Sequence, residues 1–288
     1  MIDWEEDKQD IVSTYYDCLE RCNHELRERV NTHIDKCGPI YDNVRFIMDR
    51  ISTVWFLTQK DLLWDADIIH RTVLESMIKL LFIIYAPDDA EGKKRLIEFW
   101  QELSEVNTLK HSEDAKILIE HFKEGMFHVS HGHMVLSEAE EAALRSKWNR
   151  KSRQALEQKW SFSEMLKSLK NNYKRQPFEM LAGLFYEYRF CSHIAHGDEL
   201  GIGIIAERAS RGPEESQIPH RGHFIKRLND CLVYSSWLAV AVMDYIKEDK
   251  KFFFDNVGRI QAVQHLEAKY KNQVFEDPMY DKYRGTQQ

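Results

Sequence analysis

Apolar residues recur along most of this chain at three- and four-residue steps, the period of a helix with one buried face. Between residues 3 and 36, Ile11, Tyr15, Cys18, Leu19, Cys22, Leu26, Val30 and Ile34 trace such a stripe, and Gly38-Pro39 predicts its end. A second helix is predicted over 40–59, with Val44, Ile47, Met48, Ile51, Val54 and Trp55 inward. A third runs from about Asp61 to Tyr85 and stops before Pro87. It is apolar enough to be central, yet it carries Asp67, His70, Arg71 and Glu75. Shorter helices are predicted over 88–106 and 112–123, and 124–137 is the least regular stretch. Ser137 with Glu140 suits an N-cap, and Ser161 or Ser163 suits the next one. Pro177 fits the first turn of a helix that reaches His196, where Gly197 supplies the residue after the C-cap.

Beyond that point GIGIIAER (201–208) has strand-like composition without an evident partner, and 209–221 reads as a polar loop. A long helix is predicted over 222–248. Leu232, Val233, Tyr234, Trp237, Leu238, Val240, Ala241 and Val242 cover most of its circumference, so it belongs at the centre of a bundle or at a two-fold interface. A last helix covers 256–270, and 275–288 reads as a flexible tail. The pattern as a whole predicts an all-α, multi-helix bundle forming one domain over 1–288, with an inserted helical arm over 107–176. Only 12 Gly and 6 Pro in 288 residues agree with helices joined by short connections.

The apolar runs LLFIIYA (80–86) and YSSWLAVAVMDYI (234–246) fall short of the roughly 20 apolar residues of a membrane span. The acidic start MIDWEEDKQD lacks the pattern of a signal peptide. Five Cys without a disulfide spacing fit a reducing cytoplasm. No cofactor fingerprint is present. His121, His128, His131 and His133 lie near one another, but no Cys or spaced carboxylate completes a ligand set, so neither metal nor cofactor is expected.

Charge is uneven. Residues 145–175 hold ten Lys/Arg and two Glu, a local charge of +8 in a chain whose total is −7. Trp148, Trp160 and Tyr173 are interleaved with them. Basic groups neutralise phosphates and rings stack on bases, which makes Lys147, Arg150, Lys151, Arg153, Lys174 and Arg175 candidate RNA-binding residues. A solvated basic hairpin is the equal alternative.

The densest chemistry is YEYRFCSHIAHGD (186–198). Arg189 and His196 are seven residues apart, so they return to one helix face with a drift of about 20°. Ser192 and His193 flank that line, and Tyr188, Ser192 and His196 form an i, i+4, i+8 ladder. Arg71 and Glu75, one turn apart on the third helix, are either a structural ion pair or partners for this stripe.

Arg189, six residues, then His196 resembles the R-x4–6-H signature of the HEPN ribonucleases, all-α domains found in toxin–antitoxin and anti-phage systems. Arg71/Glu75 followed by Tyr188, Ser192, His196 and Gly197 also resembles an uncharacterised family of helical prokaryotic proteins. The resemblance covers about 60–90 and 177–250. It implies a HEPN-like core and metal-independent RNA cleavage by 2′-hydroxyl attack. His196 would be the general acid/base, since an imidazole ordinarily titrates near neutral pH, and Arg189 would stabilise the transition-state charge. Ser192, His193, Arg71, Glu75 and Tyr188 complete the candidate site. It further implies a homodimer with both motifs in one groove and an antitoxin or defence partner protein. The competing reading is a non-catalytic interaction module whose Arg/His/Glu stripe is a structural polar network. A third is a helical enzyme binding a small molecule or nucleotide in an enclosed pocket.

Overall fold

The computed structural model describes residues 4–122, 130–172 and 181–251, together with Ala268 and Tyr270. Among these residues there is no strand: the fold is an all-α bundle. His128, Tyr173, Lys174, Arg175, Pro177, most of the helix expected over 256–270 and the tail 275–288 lie outside the described residues.

The chain divides into two compact units, one made of 1–84 and 179–288 and the other of 85–178. The insertion therefore begins at Tyr85, and the boundary expected at 107 falls inside a continuous helix.

The first unit contains α1 (Trp4–Thr32), α2 (Ile34–Gln59) and α3 (Leu63–Ile84). Ile11, Tyr15, Cys18, Leu19, Cys22, Leu26 and Val30 are buried along α1 as the pattern requires, whereas Ile34 is exposed. The break falls at His33, not at Gly38-Pro39. Pro39 sits in the second turn of α2. It removes one helical N–H, but the turns around it bury Cys37, Ile40 and Val44 completely or nearly so, and that packing holds the helix through it.

In chain order the second unit follows, with α4 (Asp89–Ile97), a π-turn (Glu98–Glu102), α5 (Leu103–His121), a 3-10 turn (Gly132–Met134), α6 (Glu138–Lys147), α7 (Arg150–Lys159) and α8 (Phe162–Asn172). The two helices expected over 88–106 and 112–123 are thus one run with a π-turn in it. Ser137 forms a full capping box with Glu140, Asn149 caps α7, and Ser161 accepts from Glu164 at the start of α8. Within this unit Glu91, Glu98 and Glu105 recur every seven residues and meet the basic hairpin. Glu98 accepts from the Trp160 indole and Lys159, Glu105 from the Trp148 indole and Lys147, and Glu113 pairs with Arg145 and Arg153.

The chain then returns to the first unit through α9 (Leu181–His196), α10 (Glu199–Ser210) and α11 (Pro213–Ile246). GIGIIAER is helical, not a strand. Asp198 accepts a hydrogen bond from the Gly201 N–H at 3.1 Å, and this cap starts α10 despite its β-branched composition. Residues 213–221 are the first turns of α11 rather than a loop: Gly212 precedes Pro213 at the first helical position, where a missing N–H costs nothing. α11 packs on α1, α2 and α3. Leu232, Tyr234, Leu238, Ala241 and Val242 are buried there, which makes α11 central to the unit, while Val233, Trp237 and Val240 stay half-buried along one face.

Candidate functional site

The α9 helix has two polar faces with different fates. On the inner one, which packs on α3, the Arg71 Nε donates to Ser192 Oγ at 2.9 Å and a second guanidinium nitrogen donates to the Tyr188 hydroxyl at 3.2 Å. Arg71 also lies over the Tyr188 ring and 4.0 Å from Glu75, whose nearer partner is Lys79 at 2.7 Å. Four of the seven candidates, Arg71, Glu75, Tyr188 and Ser192, thus form one half-buried cluster between α3 and α9.

The other three lie elsewhere. Arg189 is exposed and stacks on Phe185, and His196 is exposed in the last turn. Neither makes a hydrogen bond or ion pair among the described residues. His193 turns to Asp198, with Nδ1 2.6 Å from Oδ2. The His193 hydrogen bond first, and the Gly201 N–H second, hold the Asp198 carboxyl below its usual range. The chain turns here through Gly197 at φ +57, a left-handed conformation that favours glycine. Gly201 approaches so closely that a Cβ there would lie 2.3 Å from the His193 carbonyl oxygen. His193, Asp198, Glu199, Leu200, Gly203, Ile204 and Glu207 line an open groove of about 710 Å³.

A buried charge cluster lies deeper in the same unit, and only its α3 members, Asp67 and His70, stand out in the sequence. Arg227 is 1% exposed and sits between three carboxylates, 2.8 Å from Asp67, 2.9 Å from Asp230 and in contact with Glu187. The Asp67 and Asp230 contacts are ion pairs rather than aligned hydrogen bonds. Burial opposes the charge on Arg227, but Asp230, Asp67 and Glu187 outweigh it and raise its pKa well above the usual value. Burial likewise pushes the Glu187 carboxyl up, while Arg227 and Lys226 hold it below its ordinary range. Arg208 donates to His223 Nδ1 at 2.9 Å, which leaves the His223 Nε2–H to donate to Asp67 at 3.0 Å. Burial lowers the pKa of His223 and drives that of His70 well below the usual value, so both imidazoles are neutral.

The i, i+3 and i, i+4 spacing of Arg227 and Lys226 to Asp230 is visible in the sequence, but nothing there links these residues to Glu187 or says that Arg227 turns inward. The basic arm also differs from a stacking platform. Trp148 and Trp160 are buried with their N–H groups occupied by carboxylates, and Lys147 and Arg153 are ion-paired. Arg150 and Lys151 are exposed without an ion pair among the described residues.

No protein-family model, no curated protein and no solved structure matches the chain. Among the described residues, no helix is long and apolar enough to cross a membrane.

Proposed function

We propose that this protein is a HEPN-like, metal-independent endoribonuclease that acts as a homodimer. The observation that carries the reading is the separation of the two faces of α9. Its inner polar groups are tied to Arg71, while Arg189 and His196 stand exposed on the outer face without ion pairs among the described residues. A purely structural stripe would have both of them buried and paired.

In this reading an unprotonated His196 takes the proton of the ribose 2′-hydroxyl as that oxygen attacks the adjacent phosphorus. The bond to the 5′-oxygen breaks, a protonated imidazole donates to that leaving oxygen, and a 2′,3′-cyclic phosphate remains. Arg189 balances the extra negative charge on the phosphorane. Tyr188, Ser192, Arg71 and Glu75 are positioning residues that fix the rotation of α9. His193, held by Asp198, positions its last turn. Large apolar side chains near the motif support assembly there: Tyr186 on α9 is 73% exposed, and Leu200 and Ile202 on α10 are 53% and 59% exposed. A second copy across this face would bring two Arg189 and two His196 to one phosphate. Arg150 and Lys151 are the arm residues best suited to contact the RNA backbone.

The test is incubation of the purified protein with total RNA in EDTA. Cleavage by wild type and its loss in His196→Ala and Arg189→Ala, both with unchanged helical circular dichroism, are expected. Equal activity in folded variants would remove the assignment and favour the interaction-module reading.

A further inference from the structure

We propose that His70, Glu187 and Asp230 form a divalent first-row metal site inside the first unit, with Lys226 as a displaceable ammonium that occupies it in the metal-free state. The site is distinct from the outer face of α9 and does not rest on the ribonuclease reading.

The donors come from three helices that pack together: His70 from α3, Glu187 from α9 and Asp230 from α11. All three residues are buried, and one ligand atom of each lies within 4.8 Å of the others. The imidazole is neutral, and its Nε2 is buried without a hydrogen-bond partner. A buried ring nitrogen without a partner is costly, and it points at Asp230 Oδ2 3.8 Å away. That same oxygen and Glu187 Oε2 are bridged by Lys226 Nζ at 2.8 and 2.9 Å. The ammonium therefore occupies a place from which one ion would reach both carboxylates, and the His70 nitrogen lies 3.8 Å from one of those oxygens. Around a tetrahedral ion with metal–ligand distances of about 2.0–2.2 Å, donor atoms lie about 3.4 Å apart. The 3.8 Å between His70 and Asp230 therefore closes by a few tenths of an ångström, and any separation near 4.8 Å closes by more than an ångström through side-chain rotation.

Charge supports the exchange. Asp67, Glu187 and Asp230 pair directly with Arg227 and Lys226, three negative charges against two positive ones. A divalent ion in place of the ammonium balances these directly paired charges. The Lys226 side chain is 46% exposed, so its head can leave for water along a flexible stem. Arg227 cannot leave. It stays as the outer partner that fixes both ligating carboxylates, the role supporting hydrogen bonds and ion pairs play at metal centres. One imidazole with two carboxylates suits zinc or manganese.

The full chain, stripped with EDTA and dialysed, is titrated with zinc chloride and with manganese chloride by calorimetry, and thermal unfolding is followed with and without each metal. One equivalent per chain and a raised Tm are expected. Lys226→Met removes the competing ammonium and is expected to tighten binding about tenfold, the weight of one bridging, partly exposed ion pair. Binding by Lys226→Met alone would also support the site, with Lys226 as a closed latch. His70→Ala, shown folded by circular dichroism, is expected to lose the site. Three outcomes overturn the proposal: no stoichiometric binding by either wild type or Lys226→Met, an affinity that Lys226→Met leaves unchanged or weaker, or full binding in a folded His70→Ala. Because Lys226 is at the surface, its variant decides the matter even where His70→Ala fails to fold.

Discussion

Arg227 is the residue on which the first unit depends most. It is the only cation wholly enclosed with Asp67, Glu187 and Asp230 among the described residues. Arg227→Met leaves Glu187 and Asp230 with Lys226 alone and the buried Asp67 with only the neutral His223, and the expected loss is about 3–5 kcal/mol of unfolding free energy. Urea denaturation measures it, and a loss below about 1 kcal/mol would contradict the network. The same cluster sets a pH dependence. His70 and His223 are neutral when folded because burial lowers their pKa, whereas in the unfolded chain they titrate near 6.5. Below that value the unfolded state binds more protons, so stability is fully present above about pH 6.5 and falls as the solution is acidified. Denaturation at pH 7, 6 and 5 in EDTA should show the decline, by up to about 1.4 kcal/mol per pH unit for each imidazole. A flat profile would mean that the rings are charged or accessible. Tyr188 and Ser192 could be grouped from their one-turn spacing, and Arg71 joined them through the family resemblance. Arg227 and Glu187 could not, because a sequence does not say which of many charged residues on amphipathic helices turns inward.

At the scale of elements, the helices with a clean apolar stripe were legible and their boundaries were not. α1, α2, α3 and α11 follow their patterns, yet Gly38-Pro39 does not end a helix because local packing outweighs one missing N–H. The 201–208 segment misled through its isoleucines and glycines, while the decisive feature was the single cap Asp198. That corner makes its own prediction. Gly201→Ala forces a Cβ against the His193 carbonyl, so α10 must shift. The variant should lose about 1–3 kcal/mol. Gly203→Ala on the same helix meets nothing within 4 Å and should gain up to about 1 kcal/mol. Equal effects in thermal melts would contradict the close approach of α9 and α10. In the second unit the acidic stripe of α4 and α5 explains why an arm carrying +8 is not freely basic. Glu substitution of Arg150 and Lys151 should weaken RNA binding and lower the salt slope by about one unit each. Substitution of the ion-paired Lys147 and Arg153 should do less. Equal effects for the two pairs, measured by filter binding across salt, would contradict this division.

At the scale of the molecule, the all-α class followed from periodicity, and the division at Tyr85 did not, because no composition shift marks it. Most of the apolar surface of α11 is buried within one copy, and the proposed two-fold contact is placed on the outer face of α9 and α10, where Tyr186, Leu200 and Ile202 are exposed. In the proposed function this face cleaves RNA through its 2′-hydroxyl without a metal ion. Its most direct test is one substrate pair in EDTA: an RNA oligonucleotide and the same sequence with 2′-O-methyl riboses, each incubated with wild type and His196→Ala, the products analysed by mass spectrometry. Fragments ending in 2′,3′-cyclic phosphate are expected from the unmodified RNA with wild type only. Cleavage of the methylated strand, cleavage by the His196→Ala protein, or an intact RNA after incubation with wild type would contradict it.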